Sequence, residues 1–221
     1  MIKMAVFDID NTLYDYDRCN ALAEQKLGSI ISSQLKLSSN EALDMLKQAK
    51  KNIKLQLGDV AASHNRLLYM QNICEQAGVK PGLYAMAFYN AYWDTMLEYM
   101  EPFPYVRPLF EQLKGSGIRI GVLTDLTAHI QYRKLDKLNL LKDIDMIVTS
   151  EEAGAEKPSA KMFDLIIRKA ELRPREMLMI GDSKEKDVDG ASKAGMLAIH
   201  FSSSITVEKQ FWEMVQETGT H

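Results

Sequence analysis

The stretch Asp8-Ile9-Asp10-Asn11-Thr12-Leu13-Tyr14 decides the fold, and it follows the apolar run Met4-Ala5-Val6-Phe7. That run reads as a buried strand, predicted over 2–7. Residues two apart on an extended segment point the same way, so Asp8 and Asp10 deliver two carboxylates to one side of the strand's end. Two carboxylates about 4 Å apart repel by roughly 4 kcal/mol at an effective dielectric near 20. A fold that keeps such a pair offsets it with a cation or holds one group protonated. The same residues also read as a solvated Asp- and Asn-rich turn. The rest of the chain decides between the two readings.

Working outward, the segment 15–100 shows helical periodicity and no strand-like alternation. Helices are predicted over 20–35, 42–53, 61–77 and 83–100, with Ser38, Ser39, Asn40 and Glu41 offering N-terminal capping groups and Gly78 a stop. The last of these carries Phe88, Tyr92, Trp93 and Met96 and reads as a buried spine. Pro102, Pro104 and Pro108 then break the pattern. Beyond them strands alternate with helices: strands over 118–123, 144–148, 177–180 and 196–200, helices over 106–114, 128–138, 159–170, 185–194 and 205–215. Ser159 is a capping candidate for the third of these helices. Alternation of this kind implies a doubly wound parallel sheet covered on both faces, an α/β class fold. The expected organisation is an α/β core from 1–14 and 101–221 and a smaller all-helical domain inserted over 15–100.

Bulk properties narrow the function. The chain has 221 residues, 46% of them hydrophobic, enough for a sizeable core. Twenty-seven Lys and Arg against 30 Asp and Glu give a net charge of −3, which argues against a nucleic-acid surface. The two cysteines, Cys19 and Cys74, form no disulfide framework or zinc pattern, so reduced thiols are expected. No apolar run is long enough to span a membrane and no signal peptide precedes Asp8, so a cytoplasmic protein is expected. Thirteen Met are read as flexible core filling.

In open parallel sheets ligands sit outside the carboxyl ends of the strands. Those ends carry Asp8, Asp10 and Thr12; Thr124 and Asp125; a loop to Lys157-Pro158; and Gly181-Asp182-Ser183 with Asp187 beyond. The order D-x-D-x-T, strand-Thr, K-P, G-D-S-x-x-x-D resembles the haloacid dehalogenase superfamily, more narrowly its phosphatase-type members with a helical cap after the first motif. The motifs span Asp8 to Asp187.

The resemblance implies a Rossmann-like core and a role for each matching residue. Asp8 would be the nucleophile that forms an aspartyl-phosphate. Asp10 would protonate the leaving oxygen and then deprotonate the hydrolytic water. A halide leaves without a proton, so an acid at position 10 argues for a phosphate ester and against dehalogenation. Thr124 would donate to a phosphoryl oxygen, and Lys157 would neutralise charge on that group and on Asp8. Asp8, Asp182 and the main-chain carbonyl of Asp10 would hold Mg²⁺, a fit to hard oxygen ligands. Thr12, Ser183 and Asp187 would support them, Asp187 by positioning Lys157 or a metal-bound water and Ser183 by capping a helix. Four carboxylates converging with a single lysine call for a divalent cation on electrostatic grounds too.

One residue departs from the pattern: Asp125 stands where such proteins often carry Asn. It either sits near the phosphate as a substrate-side group or, the favoured reading, caps the helix starting near Ala128. In the inserted domain, Tyr14 and Tyr16 either line the entrance or only pack, and Arg66 is either a second anchor for an anionic substrate or part of a solvated helix face. The expected partner is a small phosphorylated metabolite acted on by a monomer or homodimer, with no nucleic acid and no membrane. A sugar-phosphate phosphomutase and a non-catalytic phosphoester-binding regulator are the alternatives to a hydrolase.

Overall fold

The computed structural model describes residues 1–201 and 204–219. The chain divides into two compact units, Met1–Asp15 with Glu101–His221, and Tyr16–Met100. The first opens with β1 (Met4–Phe7), every residue of which is buried.

The second unit is entirely helical: α1 (Tyr16–Leu35), α2 (Ser39–Leu57), α3 (Arg66–Gln76) and α4 (Pro81–Glu98), with a 3-10 turn over Ala61–His64. A reciprocal capping box of Ser38 and Glu41 starts α2, three residues before the predicted start. The helix expected over 61–77 is interrupted because the Asn65 side chain accepts from the Leu67 N–H (3.0 Å) and begins a new helix there. α4 buries Ala85, Phe88, Tyr92, Trp93 and Met96 on one face, while Leu83 and Met86 are exposed.

The first unit continues with α5 (Val106–Gly115), β2 (Arg119–Thr124), α6 (Ala128–Lys137), β3 (Met146–Thr149), a single turn α7 (Ser150–Ala153) and α8 (Ala160–Ala170). Then come β4 (Met177–Gly181), a π-helical segment Lys184–Asp189, α9 (Gly190–Lys193), β5 (Leu197–His200) and α10 (Ser204–Gly219). The helix predicted over 185–194 is thus part π-helical, a geometry that tends to accompany functional sites. Ser159 occupies the N-cap position of α8, but its hydroxyl accepts no capping bond.

The five strands are parallel, in the order β3-β2-β1-β4-β5. The chain adds strands on one side of β1 and then on the other, so β1 is central and the crevice lies at its carboxyl end. Alternation on β1 sends Met4 and Val6 into a core cluster with Met162, Phe163 and Ile166 of α8. Phe7 points to the opposite face, where its ring lies 5.1 Å from that of Phe110. Methionines 4, 162, 177, 179 and 196 belong to that same core cluster. Phe7 is level with Val122 and Ile180, so the residues after β1, β2 and β4 emerge side by side.

Candidate active site

The turn after β1 is built to hold Asp8 and Asp10 apart. The Asp8 N–H still continues the sheet, donating to the Ile180 carbonyl (2.9 Å). The chain then turns at once, with Thr12 and Leu13 both donating to the Ile9 carbonyl and Asn11 at φ 58, a conformation Asn tolerates. Thr12 is fully buried and its hydroxyl accepts from the Asp182 N–H (3.1 Å), which joins the first and last motifs. Tyr105 donates to the Thr12 carbonyl (2.6 Å) from beneath.

Lys157 is 4% exposed, and its ammonium donates to Asp8 Oδ1 (2.6 Å), Asp187 Oδ1 (2.6 Å) and the Leu123 carbonyl (3.0 Å). The other oxygen of Asp187 accepts from the Ser183 N–H (3.0 Å). Asp187 comes close enough for this because residue 181 is glycine: a Cβ there would overlap the Asp187 carboxylate. Ser183 accepts from the Lys186 N–H (3.2 Å), capping the π-helical segment. Carboxylate oxygens of Asp8, Asp182 and Asp187 lie within 4.8 Å of one another, hard donors in a number and spacing that suit Mg²⁺. Among protein groups alone, burial raises the Asp8 carboxyl to about 8, with Lys157 opposing and Asp187 and Asp10 adding to it. Asp182 is raised for the same two reasons, burial and then Asp187. Burial works against the Lys157 ammonium, but Asp8 and Asp187 outweigh it and hold its pKa above the lysine range.

Asp10 stands outside that cluster and has partners of its own. Lys134 of α6, with a fully buried side chain, donates to both Asp10 oxygens (2.7 and 2.8 Å). The Tyr14 hydroxyl donates to Asp10 Oδ1 (2.7 Å). Tyr14 is itself fully buried, so it holds Asp10 rather than lining an entrance as a surface ring. The site therefore contains two lysines where the sequence pointed to one. With all four carboxylates ionised, two ammoniums leave an excess of two negative charges, which a divalent cation matches. The signal for Lys134 lies in α6, whose buried stripe Ile130, Gln131, Lys134 and Leu135 sets two polar side chains among apolar ones.

Gln131 donates to the Thr124 hydroxyl (2.6 Å) and to the Asp125 carbonyl (2.7 Å), fixing the loop after β2. That loop holds Leu126 at φ 85, an uncommon conformation for a branched side chain, of the kind that gathers at functional sites. The capping role expected for Asp125 is not observed. The N-cap of α6 is Thr127 without a side-chain bond, and the Ala128 N–H is taken by Glu151 (2.8 Å). Asp125 instead accepts from the Lys157 N–H (2.9 Å) and the Lys186 ammonium (2.8 Å), because the chain before Lys157 and the segment after β4 both pass its carboxylate. Both oxygens are engaged, so Asp125 is a strut of the loop, and its charge is balanced by Lys186.

Tyr16 and Arg66 belong to the helical unit. Arg66 is 6% exposed, which overturns the solvated-face reading, and donates to the Tyr16 hydroxyl (2.8 Å).

The model of the haloacid dehalogenase-like hydrolases matches residues 5–201, from β1 to the residue after β5. The chain belongs to that family. The hydrolase is 34% identical over 213 residues to ribulose-1,5-bisphosphate 5-phosphatase of Halopiger xanaduensis, covering 92% of this chain and 86% of that protein. It is 33% identical over 201 residues to glyceraldehyde 3-phosphate phosphatase of Methanopyrus kandleri, covering 90% and 83%. Among solved structures, a 2-haloacid dehalogenase from Pseudomonas syringae superposes with TM-score 0.74 at 24% identity, covering 91% of this chain and 86% of that one. A phosphatase of the same family from Thermococcus onnurineus superposes with TM-score 0.68 at 23% identity, with the same coverage. The fold alone is thus common to dehalogenases and phosphatases. The sequence relatives place this hydrolase with the phosphatases, a five-stranded parallel sheet with a helical cap inserted after the first strand. Among the described residues no helix is long and apolar enough to cross a membrane.

Proposed function

We propose that this hydrolase cleaves the phosphate monoester of a short-chain sugar phosphate with Mg²⁺, through a phosphorylated Asp8. The observation that carries the proposal is the division of labour between the two acids of the first motif. Asp8 lies against Lys157 within the carboxylate cluster, while Asp10 sits apart on Lys134 and Tyr14.

Asp8 and Asp182 would hold the metal, as the family resemblance implies, while Asp187 is turned to Lys157 and the Ser183 N–H and would brace the set. The family resemblance adds the main-chain carbonyl of Asp10. When bound, the cation would supply positive charge to the phosphoryl oxygens. Asp8 Oδ2, free of Lys157, attacks phosphorus as the ester oxygen departs. Lys157 holds Asp8 oriented and meets the charge on the transferring group. Asp10 gives the departing alkoxide its proton and later takes one from the attacking water. The Thr124 hydroxyl, held by Gln131, donates to a phosphoryl oxygen. Pairing of Asp125 with Lys186 supports a catalytic reading over a non-catalytic regulator. The sugar-phosphate class rests on the relatives, which act on ribulose 1,5-bisphosphate and glyceraldehyde 3-phosphate.

The test is phosphate release from glyceraldehyde 3-phosphate, ribulose 1,5-bisphosphate and a nucleoside monophosphate, by the wild type and by Asp8→Asn, with Mg²⁺ and with EDTA. Turnover of the sugar phosphates that is abolished by Asp8→Asn and by EDTA is expected. Retained turnover in Asp8→Asn would falsify the covalent route, and a preference for the nucleotide would overturn the substrate class.

A further inference from the structure

We infer that the helical unit holds an anion site of its own, centred on Arg66, that takes a phosphate group. The guanidinium lies in the wall of a cavity of about 140 Å³ between the helices, whose lining also includes Lys47, Lys50, Glu24, Tyr69 and Tyr92. That is several times the roughly 30 Å³ share of one liquid water, room for a tetrahedral oxyanion.

Arg66 is more than nine-tenths buried, yet among the described residues its hydrogen-bond partners are all neutral: the His64 carbonyl (2.8 Å), the Tyr16 hydroxyl (2.8 Å) and the Tyr92 hydroxyl (3.5 Å). It also lies over the rings of Tyr69 and Tyr92 (5.4 Å each) and Trp93 (5.8 Å). Ring faces and hydroxyl dipoles offset part of the cost of burying a cation. No carboxylate among the described residues supplies the rest. A guanidinium has more N–H groups than these three contacts use, so donors remain beside the cavity without a protein acceptor among the described residues. Buried cations are ordinarily paired, and one left unpaired next to a cavity is poised for an incoming anion.

The other charges agree. Lys50 forms no ion pair among the described residues, and Lys47 reaches only Asp44, at 3.4 Å with both side chains well exposed. The single lining carboxylate, Glu24, accepts from the Asn20 amide (3.1 Å). Three cations against one acid make the cavity electropositive in a chain whose net charge is −3. The phosphate comes either from a free anion acting as an effector or from a substrate that carries two phosphates. Only the second source rests on the hydrolase reading.

The experiment uses the full chain and inorganic phosphate as probe. The side-chain Nε–H resonance of Arg66, assigned by its loss in Arg66→Lys, is followed as phosphate is added in EDTA. A saturable shift is expected, persisting in Asp8→Asn and weakened about threefold in affinity by the exposed-residue double variant Lys47→Gln/Lys50→Gln, which leaves the fold intact. In a second arm, a fall of about threefold in that variant's kcat/KM for a sugar bisphosphate relative to a sugar monophosphate assigns the site to the substrate's second phosphate. An unchanged ratio with the shift intact assigns it to a free anion. A resonance that phosphate does not move, or that moves equally in the double variant, overturns the site. A wild type that turns over neither sugar phosphate would refute the proposed substrate class and leave the first arm, which alone carries the anion site, standing.

Discussion

Replacing Lys134 by Met tests whether Asp10 is the acid–base group and whether Lys134 is what holds it. The substitution keeps most of the volume of a fully buried side chain and removes its charge. It deletes donors at 2.7 and 2.8 Å from the two oxygens of Asp10. Breaking a buried ion pair by removing one partner costs about 3–5 kcal/mol. The Asp10 side chain is 23% exposed and keeps its bond from Tyr14 at 2.7 Å, so the low end, about 3 kcal/mol, applies to stability. The effect on turnover depends on the leaving group. An alkoxide needs a proton, which Asp10 would supply in the proposed mechanism, and general acid catalysis contributes about 10²–10⁴-fold. A carboxylate no longer held in place forfeits part of that, so kcat for an alkyl phosphate should fall about 10- to 100-fold. p-Nitrophenolate departs without protonation, so its phosphate should lose less than about fivefold. The assay is kcat and KM across a series of phosphate monoesters of rising leaving-group pKa, with urea unfolding to confirm that the variant is folded. An equal loss across the series would place Lys134 in folding or phosphate binding, and no loss at all would refute its hold on Asp10.

Asp125→Asn keeps an acceptor for the Lys157 N–H but sets an amide against the Lys186 ammonium; because that lysine's side chain is 43% exposed, KM should rise by only about threefold with kcat little changed. Abolished activity would show that Asp125 does more than brace the loop. Asp182→Asn should raise the Mg²⁺ concentration needed for half-maximal activity by at least about tenfold, and an unchanged requirement would remove Asp182 from the metal set. Glu176 is held below the carboxylate range by its bonds from the Arg173 side chain, from Lys3 and from the Arg173 N–H. A depressed folded pKa stabilises the fold above the unfolded value of 4.5 and loses that effect as pH falls toward the folded one. Glu176→Gln should therefore lower Tm at pH 7, with the gap to wild type closing below pH 4.5; a gap independent of pH would refute the assignment.

Local pattern alone fixed a good deal. The continuous apolar run of Met4–Phe7, the helical period of 15–100 and the alternation of strands with helices that follows are properties of neighbouring residues, and they put the acids, Thr124 and Lys157 at or just beyond strand ends before any tertiary contact is known. The parallel sheet makes those ends adjacent, so the ion pair of Asp8 with Lys157, 149 residues apart, follows from the layout. What tertiary structure alone decided is which charge meets which. Lys134 reaches Asp10 across 124 residues, and Lys186 reaches Asp125 across 61, because α6 and the π-helical segment are packed where those carboxylates emerge. Arg66 reads in sequence as one more charge on a helix, and only the packing of α1, α3 and α4 around it makes it a buried cation with neutral partners. Helical and strand periods are set within a few residues and can be read from the chain. A charge partner is set by the distance between side chains of distant elements, and that distance exists only once the chain has folded.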